Sequence, residues 1–159
     1  VSSSGKIDNQ ARRTARLAAV QALYQMELAG AGAEEVAEEF VAHRFDEAPA
    51  DIDFFKSVVE GVPVHQAEID KAIAACLAEN WSLARVDSIL RAILRAGGFE
   101  LVARQDVPAR VVIDEYVGIA HDFFSGDEPG FVNAALDRMA HKKRAPEFGK
   151  PVPDDELGF

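Results

Sequence analysis

Three arginines come closest to a chemistry in this chain. Arg12, Arg13 and Arg16 fall on one arc of about 100° if their segment is helical. Arg12 and Arg16 are then four apart and Arg13 and Arg16 three apart, so each pair repels by roughly 0.2–0.5 kcal/mol. They also stand near the positive end of the helix dipole, where cations are disfavoured. Folding alone offers no reason for that placement. An anionic partner does, because the planar guanidinium fork suits phosphate and the faces of bases. The competing account is a solvated face, or ion pairs to acidic residues elsewhere.

Phe131 is the second candidate. The apolar stripe of its helix is Val132, Ala135, Leu136 and Met139, which leaves Phe131 at the edge, beside a polar loop. An aromatic there is either a partly buried core residue or a platform for an unpaired base. Asp127, four residues earlier, reads equally well as a helix cap. The run His141-Lys142-Lys143-Arg144 sits at a helix C-terminus, where cations are favoured anyway, and reads as structural.

Enzymatic chemistry finds no foothold. His43, His65, His121 and His141 lie in different elements, and none has metal-ligand spacing with Cys76. There is no glycine-rich phosphate loop, nucleophile elbow or H-E-x-x-H motif. No two carboxylates are marked as an acid/base pair. The expectation is a binding protein without catalytic residues, cofactor or metal.

The elements that position these residues read as helices throughout. β-Branched residues are sparse, while Ala, Leu, Glu and Arg are abundant. Residues 1–9 read as a flexible leader, with Asp8 or Asn9 capping a first helix that Gly30-Ala31-Gly32 stops. In that helix Leu17, Val20, Tyr24 and Leu28 share one face, while Ala15, Ala19, Ala22 and Met26 share nearly the opposite one. A helix apolar on two sides is normally buried between neighbours, so it is placed centrally.

A short acidic helix with Val36, Phe40 and Phe45 inside ends at Pro49. A third runs from Asp51 through Phe54, Phe55, Val58 and Val59 until Gly61 and Pro63 break it. The fourth carries Ile69, Ile73, Cys76 and Leu77. Ser82 reads as the cap of the fifth, with Trp81 and Val86 as a hydrophobic staple. Its Gly97-Gly98 pair costs about 2 kcal/mol against two alanines, which makes sense where another backbone comes close, such as the alanine face of helix one. Asp106 and Pro108 open the sixth, and the seventh runs from Phe131 to about His141. Residues 10–145 thus form one helical domain, and residues 146–159, acidic and rich in Pro and Gly, read as a disordered tail.

Composition narrows the class. At 159 residues with 48% apolar content the chain can bury one sizeable core. No run reaches the ~18 apolar residues of a membrane span, and a single cysteine, Cys76, suits a reducing cytosol. Its apolar surroundings make Cys76 a core residue. The net charge of −10 argues against indiscriminate nucleic-acid binding. Residues 27–55 hold nine acids and one base, whereas residues 6–16 hold four bases and one acid. An acidic body with one small basic spot points to a localised anion site.

These residues resemble the NusB family. Arg12-Arg13-Thr14-Ala15-Arg16 followed by Ala19-Val20-Gln21-Ala22-Leu23-Tyr24 is similar to its arginine-rich opening and A-V-Q-A-L-Y. Ile93-Leu94-Arg95 with Gly97-x-Phe99-Glu100-Leu101 is similar to L-R-x-A-x-Y-E-L. Val107-Pro108 with Val112-Ile113-Asp114-Glu115 and Ala120 follows V-P-x-x-V-A-I-N-E. Phe131-Val132-Asn133 with Leu136 follows F-V-N-G-V-L. Four blocks in family order across residues 12–136 are specific, although each alone is weak.

The resemblance implies an all-α fold of about seven helices in two helical subdomains, and a cytoplasmic transcription antitermination factor. It implies binding to single-stranded boxA RNA of ribosomal operon transcripts, with the ribosomal protein NusE, within an antitermination complex on RNA polymerase. RNA contacts carried over by motif are Arg12, Arg13, Arg16, Asp127 and Phe131, with Arg95 a weaker one. Tyr24 is either core or partner-facing, and a homodimer is left open. Gly130 stands where the family often has lysine, and Asp114, Phe99 and Ala134 replace Asn, Tyr and Gly. The missing lysine and the acidic body imply weaker intrinsic RNA affinity and more reliance on the protein partner.

Two other readings compete. One is the NusB-like RNA-binding domain of an rRNA cytosine methyltransferase, which needs a following Rossmann-like domain where a disordered tail is expected. The other is a helical protein-interaction module whose arginines meet acidic protein. Salt-dependent binding to single-stranded RNA separates it from the leading reading.

Overall fold

The computed structural model describes residues 2–45, 50–77 and 81–151, with backbone alone for 2–8. Among these residues there are six α-helices, two short 3-10 turns and no strand. The helices are α1 (Ser2–Ala29), α2 (Ala33–His43), α3 (Ile52–Ala74), α4 (Ser88–Ala103), α5 (Ala109–Phe123) and α6 (Glu128–Lys143). No helix among them is long and apolar enough to cross a membrane. The chain divides into two compact units, Val1–His65 and Gln66–Phe159, and α3 contributes residues to both.

In the first unit the alanine-rich helix behaves as its two apolar faces require. Ala15, Ala19 and Ala22 are fully buried on one side and Val20 on the other, while Leu28 at its end is exposed. Gly30 terminates α1 in the left-handed region at φ 68°, its N–H donating to the Met26 carbonyl at 2.9 Å; that backbone favours glycine. Upstream, α1 continues to Ser2 where a leader with a cap at Asp8 or Asn9 was expected. Residues 2–9 contain no proline, and once a helix is nucleated each further residue adds a hydrogen bond at little cost. Around α1 and α2 the core is aromatic. Phe40 stacks on Phe55 at 5.7 Å, and Phe45 meets Phe55 edge-on at 5.0 Å.

The break expected at Gly61 and Pro63 does not occur: the third and fourth predicted helices are one, α3. Pro63 is exposed, so its ring lies on the solvent side of α3 rather than in the core. Val58, Val59 and Val62 before the proline and Ile69 and Ile73 after it are buried, and burial of this kind offsets the proline's cost of about 3 kcal/mol. The expected stop at Pro49 lies outside the described residues.

In the second unit α4, α5 and α6 pack together. The α4 cap is Asp87, whose Oδ1 accepts from the Ile89 and Leu90 amides at 2.8 and 3.4 Å. Ser82 instead precedes the 3-10 turn Leu83–Arg85 and makes no side-chain cap bond. Arg91 closes that turn, donating to the carbonyls of Leu83 and Val86 at 2.9 and 2.8 Å. Inside, the fully buried Glu100 accepts a short hydrogen bond from the Tyr116 hydroxyl. Cys76 is buried; burial pushes its thiol pKa up, against weaker opposite pulls from Lys142, Arg138 and Lys143. That is an inert core thiol.

The crowding at Gly97 and Gly98 comes from side chains of this unit. A Cβ on Gly97 would lie 2.9 Å from Leu136 Cδ1 and 3.3 Å from Tyr116 Cδ2; one on Gly98 would lie 3.1 Å from both Ile69 Cγ2 and Met139 Cε. The close approach anticipated from the backbone of helix one is thus supplied by packed side chains of α3, α5 and α6.

The segment after α6 is not wholly a disordered tail. Residues 145–148 form a second 3-10 turn with Ala145 buried, and Phe148 stacks on His141 at 3.9 Å. Arg144, also buried, anchors this turn. Residues 152–159 lie outside the described residues.

Candidate nucleic-acid interface

The three arginines are positioned by the junction of α1 with the start of α3, and they fare differently. Asp51, just ahead of α3, donates its N–H to the Ala11 carbonyl at 3.1 Å. Its Oδ1 accepts the Phe54 amide at 3.0 Å, capping α3, while Oδ2 pairs with Arg12 Nε at 3.3 Å. The Phe54 ring, itself buried, lies under two guanidinium carbons: Arg12 Cζ at 4.5 Å and Arg16 Cζ at 4.9 Å from its centroid. Contacts of this kind contribute from about 0.5 to 2 kcal/mol as desolvation increases.

Folding therefore does account for two of the three cations. Arg16 is only 3% exposed and belongs to the interior of this junction. Arg12 keeps 32% of its side chain exposed, enough for an N–H to face solvent. Arg13 is exposed. Among the described residues of this junction, Arg13 and part of Arg12 are open to an anion, with Arg16 and Phe54 buried.

The residues predicted from the C-terminal half gather around the start of α6. Asp127 precedes that helix, is exposed, and makes no side-chain cap bond; its carboxylate is not spent on the helix end. Phe131, one turn on, is half-buried, neither a core residue nor a free one. Its neighbour is Trp81, whose ring lies 5.8 Å away, centroid to centroid, at 49°. Trp81 is 50% exposed. The sequence reading assigned Trp81 to a staple and missed it here. A lone tryptophan in the polar stretch Glu79-Asn80-Trp81-Ser82 was the available signal.

Gly130 is exposed, with nothing within 4 Å of the place a Cβ would take. Arg95 is differently employed. Its fork grips Asp70, Nε to Oδ1 at 2.9 Å and Nη2 to Oδ2 at 3.0 Å, which ties α4 to α3. Tyr24 is half-buried on α1. Among the described residues no group of three or more His, Cys, Asp or Glu side chains could hold a metal ion.

Comparison with known proteins gives one consistent result. The model of the NusB family matches residues 13–141. The chain is 58% identical over 144 residues to the transcription antitermination protein NusB of Maricaulis maris, covering 86% of this chain and 90% of that one. It is 54% identical over 142 residues to NusB of Caulobacter vibrioides, covering 85% and 95%. Among solved structures it is similar to T. maritima NusB, with a TM-score of 0.73 at 30% identity over 93% of this chain and 97% of that one. It is also similar to a chain in the crystal structure of a plectonemic RNA supercoil, with a TM-score of 0.72 at 26% identity over 80% and 91%.

Proposed function

The chain belongs to the NusB family and is a transcription antitermination factor, and from that premise we propose that it binds single-stranded boxA RNA of ribosomal operon transcripts together with the ribosomal protein NusE. It does so as a binding module in the cytoplasm, with no chemistry of its own, joining an antitermination complex on RNA polymerase. The observation that carries this reading is the exposed Arg13 beside the half-exposed Arg12, held over Phe54 at 4.5 Å, on a chain whose net charge is −10. A small cationic spot on an acidic surface attracts an anion locally and repels it elsewhere.

Arg12 and Arg13 make phosphate contacts, and Arg16, buried on the same ring, holds them in place. Phe131 at the start of α6, with Trp81 against it, takes an unpaired base, and Asp127 offers a carboxylate to base N–H groups. Arg95 acts through its pair with Asp70 rather than on RNA directly. The similarity to a chain from an RNA-containing crystal supports RNA as the class of ligand.

The test is retention of this chain by immobilised NusE with and without a boxA oligonucleotide, across a salt series. Binding enhanced by boxA over a scrambled sequence, and weakened by salt, is the expected result. Binding to NusE that is indifferent to RNA would favour the protein-interaction reading. No binding to either would overturn the proposal.

A further inference from the structure

The ring pair Trp81–Phe131 carries an inference that deepens the RNA reading and rests on it. Trp81 is the chain's one tryptophan, and half of its surface is left in water. That forgoes apolar burial which folding otherwise favours. Its ring is held by Phe131 at 5.8 Å and 49°, so it is braced on one side and open on the other. Holding a base between two rings requires about 6.8 Å, twice the 3.4 Å base step. The pair is too close for that, so a planar ligand must lie on the outer face. Trp81 is the more exposed of the two rings.

Charge decides what that ligand is. Asp127 and Glu128 stand at the start of the helix that carries Phe131, and a carboxylate repels phosphate. The face therefore suits the uncharged, flat part of a nucleotide, with phosphates directed away. Every base has a π face, so such a platform needs no particular sequence.

We propose that Trp81, backed by Phe131, is the principal stacking platform for an unpaired nucleobase of the bound RNA. Phe131 then acts mainly as the brace that fixes the indole.

Because Trp81 is unique, its fluorescence in the native chain reports this site alone. The experiment titrates the full chain with an unlabelled boxA oligonucleotide at low salt, reading tryptophan emission. Binding is followed separately by anisotropy of a labelled copy of the oligonucleotide. Emission is expected to change in step with binding, and an abasic oligonucleotide of equal length is expected to bind without changing it. Trp81→Ala is expected to weaken binding about 5- to 150-fold with an unaltered salt slope, while Trp81→Phe stays within a few-fold of the parent. RNA binding with unmoved emission, or a Trp81→Ala chain that binds like the parent, overturns the platform and leaves the RNA reading standing. Absence of RNA binding at every salt concentration overturns both.

Discussion

The buried guanidinium of Arg144 and the carboxylate of Glu147 form one ion pair that ties the end of α6 to both ends of the α4–α5 connection. Arg144 donates to the carbonyls of Glu100, Leu101, Arg104 and Val107 at 3.0, 2.8, 2.7 and 2.9 Å. These carbonyls lie in the last turn of α4, at its C-cap and in the connection that follows it. Glu147 turns its other oxygen to the Ala109 amide at 2.9 Å, a donor left over where α5 begins. One pair thus satisfies the terminus of one helix and the start of the next.

Deleting residues 146–159 should therefore destabilise the protein. The Ala109 amide loses its acceptor and a buried guanidinium loses its counter-charge, a loss of about 1–3 kcal/mol. Thermal unfolding should shift down by about 2–4 °C per kcal/mol for a chain of this size. An unchanged melting temperature would show that the docked turn contributes nothing.

The same pair sets a pH dependence. Partial burial pushes the Glu147 pKa up, but the Ala109 amide and the Arg144 guanidinium together outweigh it and hold it below the ordinary 4.5. A carboxylate depressed in the folded state stabilises above its unfolded pKa, and the benefit is lost as pH falls through the lowered folded value. Stability measured by urea unfolding should thus decline as pH drops below about 4.5, and Glu147→Gln should flatten that decline. Because the side chain is 38% exposed, solvent screening keeps the effect modest.

What the sequence made legible follows periodicity. The burial of Ala19 and Ala22, the stop at Gly30 and the position of the α6 stripe all repeat on a helical period, and periods can be counted. Pro63 was misread because a breaker rule does not know which side of the helix faces water. The expectation of a cap at Ser82 failed because Asp87 is an equally good capping residue type and only packing selects between them. The turn at 145–148 has too few apolar residues to show a period. For the candidate site, motif proposed Arg12, Arg13, Arg16, Arg95, Asp127 and Phe131, of which the structure leaves Arg13 and Asp127 exposed and Phe131 half-buried. The burial of Arg16 depends on Phe54, and the bracing of Trp81 depends on Phe131, contacts far apart in the chain.

Gly98 tests the packing of α4. A leucine there would drive side-chain atoms into Ile69 and Met139, already 3.1 Å from the Cβ position. Overpacking of this kind costs about 1–3 kcal/mol, more than the gain of about 1 kcal/mol from replacing a helical glycine. Gly98→Leu should lower the urea midpoint; an unchanged or raised midpoint would mean that Met139 moves aside freely.

Gly130 offers the opposite experiment. Its Cβ position is open and its φ lies outside the left-handed region, so Gly130→Lys introduces no strain. Helix propensity should raise stability by up to about 1 kcal/mol. If the start of α6 approaches RNA, the added cation should also tighten boxA binding at low salt and steepen the single-strand salt slope by about 0.7. A gain in stability without any change in slope would place the RNA backbone away from this helix end.

The arginines give the sharpest separation of roles, because burial has divided them. Arg13 is exposed, so Arg13→Ala should leave thermal unfolding nearly unchanged, within the roughly 0.5 kcal/mol typical of surface changes. It should reduce the single-strand salt slope of boxA binding by about 0.7, the signature of one lost phosphate contact. Arg16 is buried over Phe54 at 4.9 Å, so Arg16→Ala should lower stability by about 1–3 kcal/mol through the lost contact and the space it leaves. Its effect on RNA should come through the position of Arg12, weakening affinity while removing less than a full contact from the slope. Arg16→Lys separates charge from shape: it keeps the charge but loses the planar stack on the ring, and should recover little of the stability. The measurements are urea unfolding and boxA affinity across a salt series, with NusE present, for all three variants. If Arg16→Ala unfolds like the parent chain yet removes a full contact from the slope, Arg16 reaches the RNA directly and the burial described here opens on binding.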